Sequence, residues 1–170
     1  MKNGNKKEIL KEKLKQALSS TARAISDDYE DNKNQNNSEK HKSFNSFDLE
    51  NLNSKSDFIK ARAESDSLAL KKKFSDDKIY KKYSPSNSSC KSLYSIAEKI
   101  RYEALGFKIL KGIKKNLTEN YNQVIKLKRK DQIKNKEDIL ISEAFELYMI
   151  KKFHGVELNT FTKKMLSFWE

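Results

Sequence analysis

The chain has 170 residues, 36% of them hydrophobic and 35% charged, with one proline and four glycines. So few turn residues exclude a turn-rich β architecture and leave a modest helical core as the expected outcome. The net charge of +12 rests on 32 lysines and only four arginines, beside 15 asparagines; because phosphate and base readers lean on arginine's planar fork, the excess reads as compositional drift and not as a nucleic-acid surface.

The N-terminus, MKNGNKKEIL, has charge but no apolar stretch behind it, so it is not a secretory signal. Over 6–26, Ile9, Leu10, Leu14, Ala17, Leu18, Ala22 and Ile25 recur on one face and predict an amphipathic helix. Residues 27–54 are polar and rich in asparagine and serine, and read as a linker. Phe44, Phe47, Leu49 and Leu52 could pin its second half onto a core.

Helical patterning resumes over 56–74, with Ser56 as a cap and Phe58, Ile59, Ala61, Ala63, Leu68, Leu70 and Phe74 as apolar surface. After KIYKKYSP, Pro85 forces a break, and Ser86, Ser88 or Ser89 can cap a long helix reaching about residue 127. KRKDQIKNK (128–136) is a polar connection. ILISEAFELYMIKKF (139–153) is the most apolar helix, with Gly155 suited to a left-handed C-terminal position. Asn159 or Thr160 can cap a last helix, FTKKMLSFW.

The expected fold is therefore all-α: a domain of about five helices over 55–170, and an N-terminal helix over 1–26 joined by the 27–54 linker. No period of about 20–50 residues recurs, which excludes a solenoid. No apolar run approaches the roughly 20 residues of a membrane span. Cys90 is the single cysteine, so no internal disulfide forms and a reducing, cytoplasmic location is expected.

Two glycines interrupt the long helix. Leu93, Ile96, Ala97, Ile100, Ala104 and Phe107 form one stripe, while Leu110, Ile113, Leu117, Tyr121 and Val124 form a second, rotated by roughly a quarter turn. The crossover brackets Gly106, so the helix is expected to kink there or to be sandwiched between two partners. Gly106 and Gly112 lie about 120° apart on the wheel, and each is expected to admit a different neighbour or to relax the ladder.

The same stretch carries a resemblance. IRYEALG (100–106) followed by KGIKKNL (111–117) resembles the N-terminal region of the CobT family, a subunit of the aerobic cobaltochelatase, at Arg101, Glu103, Ala104, Leu105, Gly106, Gly112, Asn116 and Leu117. RAESDSLAL (62–70) is similar to a further family segment at Arg62, Asp66, Ser67, Ala69 and Leu70. Asp76 and Pro85 fall where the family has them, as do Ala144, Gly155, Met165 and Trp169 near the end, and QALSSTARAIS (16–26) resembles the family's first helix. Only the 27–54 linker lies outside the resemblance, which rests on the ordered set and not on one motif. Where family members often carry histidines, this chain has Glu64, Ser75 and Tyr80, which speaks against a metal role for that region.

The resemblance implies an assembly and not a stand-alone catalyst. It implies a CobS partner, an AAA+ ATPase that hydrolyses Mg-ATP, and a large CobN subunit that takes cobalt and hydrogenobyrinic acid a,c-diamide. The whole is an ATP-dependent metal chelatase of the ligase class, and this chain is expected to bind no cofactor or metal itself. Complete family members add an acidic stretch and an integrin-I-like domain with a D-x-S-x-S site. Neither is found here, so the chain is expected to be an N-terminal module or a natural truncation.

Little in the residues themselves carries chemistry. There is no G-x-x-x-x-G-K-[ST] phosphate loop, and His41, His154 and Cys90 have no zinc spacing. His154, beside Gly155, reads as a cation near a helix C-terminus. Arg62, Glu64 and Asp66 share one helix, and Arg101 and Glu103 another. The preferred reading is an interhelical ion pair that fixes packing register; the alternative is a polar patch that docks the ATPase. Residues expected to pack or to contact subunits are Arg62, Asp66, Arg101, Glu103, Gly106, Gly112, Asn116 and Trp169.

Cys90 reads as inert. Lys71–Lys73, Lys81–Lys82, Lys114–Lys115 and Lys126–Lys130 read as a solvated face. Tyr94, Tyr102, Phe145, Tyr148, Phe153, Phe161, Phe168 and Trp169 are spaced as core, not as a base-stacking platform. The rival function is a basic helical nucleic-acid-binding or adaptor protein without enzymatic activity.

Overall fold

The computed structural model describes residues 2–27, 52, 54–127 and 135–169. His41, Phe44, Phe47, Leu49 and most of the 128–136 connection lie outside the described residues. Within them every regular element is a helix, so the fold is all-α as expected, with seven α-helices. The chain forms two compact units, Met1–Lys73 and Phe74–Glu170.

The first unit holds α1 (Lys2–Ser26) and α2 (Lys55–Phe74) except for Phe74, which belongs to the second. Only the second half of the α1 stripe is used: Leu18, Ala22 and Ile25 are buried, while Ile9 and Leu10 are exposed. The helix ends at Asp27, which adopts the left-handed conformation (φ 56°) and pairs with Lys73. The cap of α2 is Ser54, not Ser56. Ser54 Oγ accepts the Asp57 N–H at 3.2 Å, and Asp57 Oδ2 accepts the Ser54 N–H at 2.8 Å. This reciprocal pair satisfies two N–H groups together, which a serine two residues inside the helix could not do.

The second unit contains α3 (Asp77–Tyr83), α4 (Ser88–Ile109), α5 (Lys111–Leu127), α6 (Ile141–Met149) and α7 (Thr160–Ser167), with a 3-10 turn at Lys136–Asp138 and a π turn at Ile150–His154. Asp76 caps α3 through Oδ1, which accepts the Lys78 and Ile79 N–H groups at 2.7 and 3.1 Å. Pro85 acts as expected: α3 stops at Tyr83 and Ser84 is extended. The cap of α4 is Asn87, whose Oδ1 accepts the Cys90 N–H at 3.1 Å, and none of the three neighbouring serines. Asn159 caps α7 by accepting the Thr162 N–H at 2.8 Å.

The single helix expected to about residue 127 is two. Leu110 leaves the helical region (φ −127°, ψ 93°), although its N–H still reaches the Gly106 carbonyl at 2.9 Å. Its own carbonyl then accepts from Ile113 and Lys114 at 3.1 and 3.3 Å, which starts α5. Glycines on either side each weaken a continuous helix by about 1 kcal/mol relative to alanine. The break lets the second apolar stripe turn back onto α4. A straight helix would separate residues 103 and 121 by about 27 Å, yet these side chains meet at 2.7 Å.

The two glycines play different parts. Gly106 is buried in the last turn of α4. Gly112 meets no atom within 4 Å of where a Cβ would stand, so the expected close neighbour is missing there. Gly112 lies in the first turn of α5 with ordinary helical geometry. Gly112→Ala is therefore expected to raise stability by about 0.4–1 kcal/mol by restricting the unfolded chain, read as a higher urea midpoint with unchanged slope.

The apolar helix expected over 139–153 resolves into α6 and the π turn, and Gly155 takes the left-handed position (φ 66°, ψ 27°) with its N–H on the Ile150 carbonyl. The core of this unit is centred on α4 and α6, with α5, α7 and the π turn around them. Ile100, Ile113, Leu117, Ile125, Leu147, Ile150 and Met165 are buried. Of the aromatics read as core, Tyr102 is buried, while Tyr148, Phe153 and Trp169 are exposed. The buried arc of α6 and the π turn is Ala144, Leu147 and Ile150, and Tyr148 stands at its edge, partly exposed. No described helix is long and apolar enough to cross a membrane.

Candidate functional site

The residues read as chemically relevant lie on several helices. In α2, Arg62 and Glu64 are exposed and Asp66 is buried. In α4, Arg101 and Glu103 point in different directions, as a two-residue step of about 200° requires. Arg101 grips Glu98 on its own helix, Nε at 2.7 Å and Nη2 at 2.8 Å, and donates to the Phe74 carbonyl at 2.7 Å. This bidentate hydrogen bond holds the guanidinium charge more firmly, raising its pKa. Asn116 is half-buried on α5. Trp169 lies under the Lys136 ammonium, 4.3 Å from the ring centroid, a cation–π contact between the 3-10 turn and the end of the chain.

Glu103 goes inward and builds a buried polar cluster. Its Oε2 accepts the Tyr121 hydroxyl at 2.7 Å and lies 2.9 Å from His154 Nε2. The Glu103 and His154 side chains are fully sealed from water. Three elements thus meet at one carboxylate oxygen: α4 supplies Glu103, α5 supplies Tyr121 and the π turn supplies His154. The Phe107 ring covers the imidazole at 4.4 Å between centroids, and the Tyr121 ring flanks it at 5.5 Å. On the outer side, Lys99 Nζ stands 5.4 Å from the Tyr121 ring centroid and 3.8 Å from Glu146.

The electrostatics follow from burial. Burial, and then the adjacent Glu103 carboxyl, pushes the Tyr121 phenol far above its ordinary value. Tyr121 is therefore a permanent donor. The His154 Nε2 shares the same carboxylate oxygen, and its buried Nδ1 has no hydrogen-bond partner among the described residues. A sealed cluster of this kind has no route for a substrate. What it can do is hold three helical segments in one register, since each lost partner leaves another buried polar atom unpaired.

His154 stands at a helix end, as expected, but it faces the core and is buried there. Neither it nor Tyr121 was read as a partner of Glu103. One local signal existed: Glu103 sits on the edge of the Ile100–Ala104–Phe107 stripe, where a carboxylate needs buried donors. No group of three or more His, Cys, Asp or Glu side chains could hold a metal ion among the described residues.

A family model described as cobalamin biosynthesis protein CobT matches residues 9–170. No curated protein and no solved structure matches the chain.

Proposed function

The chain belongs to the CobT family of cobalamin biosynthesis proteins, and from that membership we propose that it is a non-catalytic assembly module of the aerobic cobaltochelatase. In this reading a CobS-type AAA+ ATPase hydrolyses Mg-ATP, and a CobN-type large subunit holds cobalt and hydrogenobyrinic acid a,c-diamide. The helical module joins the two so that ATP-driven remodelling reaches the site of metal insertion. The observation that carries the proposal is the family match over 9–170. The sealed Glu103–Tyr121–His154 cluster supports it, because this polar part of the core is built for rigidity and not for access.

The test is co-purification of the native gene product with the ATPase and the large subunit at moderate salt, followed by cobalt insertion with and without residues 9–170. Complex formation and an insertion rate that depends on the module are expected. The rival follows from the +12 charge. Failure to bind either subunit, together with tight binding to any duplex whose log–log salt slope is several units, would replace the assembly reading with a nucleic-acid one.

A further inference from the structure

One flank of α6, beside its buried arc, is apolar. Leu140 is 71% exposed, Ile141 48% and Tyr148 39%, with half-buried Phe145 between them. Ile141, Phe145 and Tyr148 fall within an arc of roughly 60° on the helix, so they form one continuous stripe. Phe153, 54% exposed, extends the apolar surface at the C-terminal end. A helix in a protein this rich in lysine has polar residues to spare for a solvated face, and none of these positions has one.

The stripe is framed by opposite charges. Glu137 and Asp138 stand exposed at its N-terminal end, and Lys151 and Lys152 at its C-terminal end. Neither Glu137 nor Lys152 has an ion-pair partner among the described residues. The helix dipole favours acids at the start and bases at the end, but it gives no reason for an apolar surface between them. The charges are also spaced symmetrically: positions 138 and 152 are equally far from Phe145, and so are 141 and 149.

We infer that this face of α6 pairs with the same face of a second copy of the chain, antiparallel, about a two-fold axis through Phe145. In that arrangement residues equidistant from Phe145 oppose each other. Ile141 meets Met149 of the second copy, and the acidic end of each stripe meets the basic end of the other. The interface is isologous and closed, as a two-fold pair requires. It is also a small one, in the class of weak and transient contacts. The inference stands apart from the chelatase reading, because it uses only the surface of α6.

Sedimentation velocity on the full chain, from roughly 10 to 500 µM, should show reversible dimerisation, weakened by high salt. Tyr148→Glu should abolish it while helicity is retained, and Ile141→Glu, at a 48% exposed position of the same stripe, should do the same. The decisive arm is mixing. Glu137→Lys and Lys152→Glu should each dimerise much more weakly alone, because each swap leaves one end of the stripe without net charge and removes its attraction for the other, and an equimolar mixture should recover association. A chain that stays monomeric throughout the range would overturn the inference and leave the stripe to a different protein. So would a dimer indifferent to Tyr148→Glu, or single variants whose mixture fails to recover association.

Discussion

Glu103→Ala is expected to lower unfolding stability by about 3–5 kcal/mol, the cost of removing one partner from a buried hydrogen-bonded set. The Tyr121 hydroxyl and the His154 Nε2 both rest on the lost oxygen. Neither can turn to water, because both side chains are enclosed. Urea denaturation reads the effect as a large fall in midpoint. Tyr121→Phe keeps the ring and removes only the hydroxyl, so it should cost about 1–3 kcal/mol in the native background. In the Glu103→Ala background that loss should shrink, because the hydroxyl then has no carboxylate to serve. A coupling of about 0.5–3 kcal/mol between the two changes is the expected signature. Full additivity would mean that the 2.7 Å contact contributes nothing to stability.

Leu147→Ala should cost about 2–5 kcal/mol through lost burial and the cavity left behind. Leu147 is 1% exposed on the inner arc of α6, in line with Ala144 and Ile150. α6 packs against α4 and α7 as well as the π turn, so several elements would have to shift to close the void. The conservative exchange Leu147→Met keeps the volume and should cost less than about 1.5 kcal/mol. If the two variants unfold at the same urea concentration, the packed centre does not run through α6.

Much of the fold was legible because its signals are local. Pro85, Gly155 and Asn159 each act within a few residues of themselves, and each did what its chemistry predicts. Caps were displaced by a residue or two, to Ser54 and Asn87. In a serine-rich run every candidate looks alike until the first helical dihedral is fixed. The break at Leu110 was half legible. The paired glycines and the rotated stripes announced a change of direction, but a kinked single helix satisfies the same pattern.

The buried cluster was not legible in full, since its partners are 18 and 51 residues from Glu103. Helical periodicity describes one face at a time. It does not say which faces meet, and so Glu103 was grouped with Arg101, its neighbour in sequence. The exposed aromatics failed for a related reason: spacing marks Tyr148 and Phe153 as apolar, but only packing decides which side of α6 turns inward.

The reversal at Leu110 also shortens one loop closure relative to the other. Closing the chain between residues 103 and 121 confines far fewer residues than closing it between 103 and 154. The entropy difference between loops of these lengths is about 0.9 kcal/mol. The α4–α5 hairpin can therefore form early, as a local event, with Tyr121 already on the carboxylate. His154 then arrives onto a prepared acceptor, and its docking registers that the far end of the chain has come home.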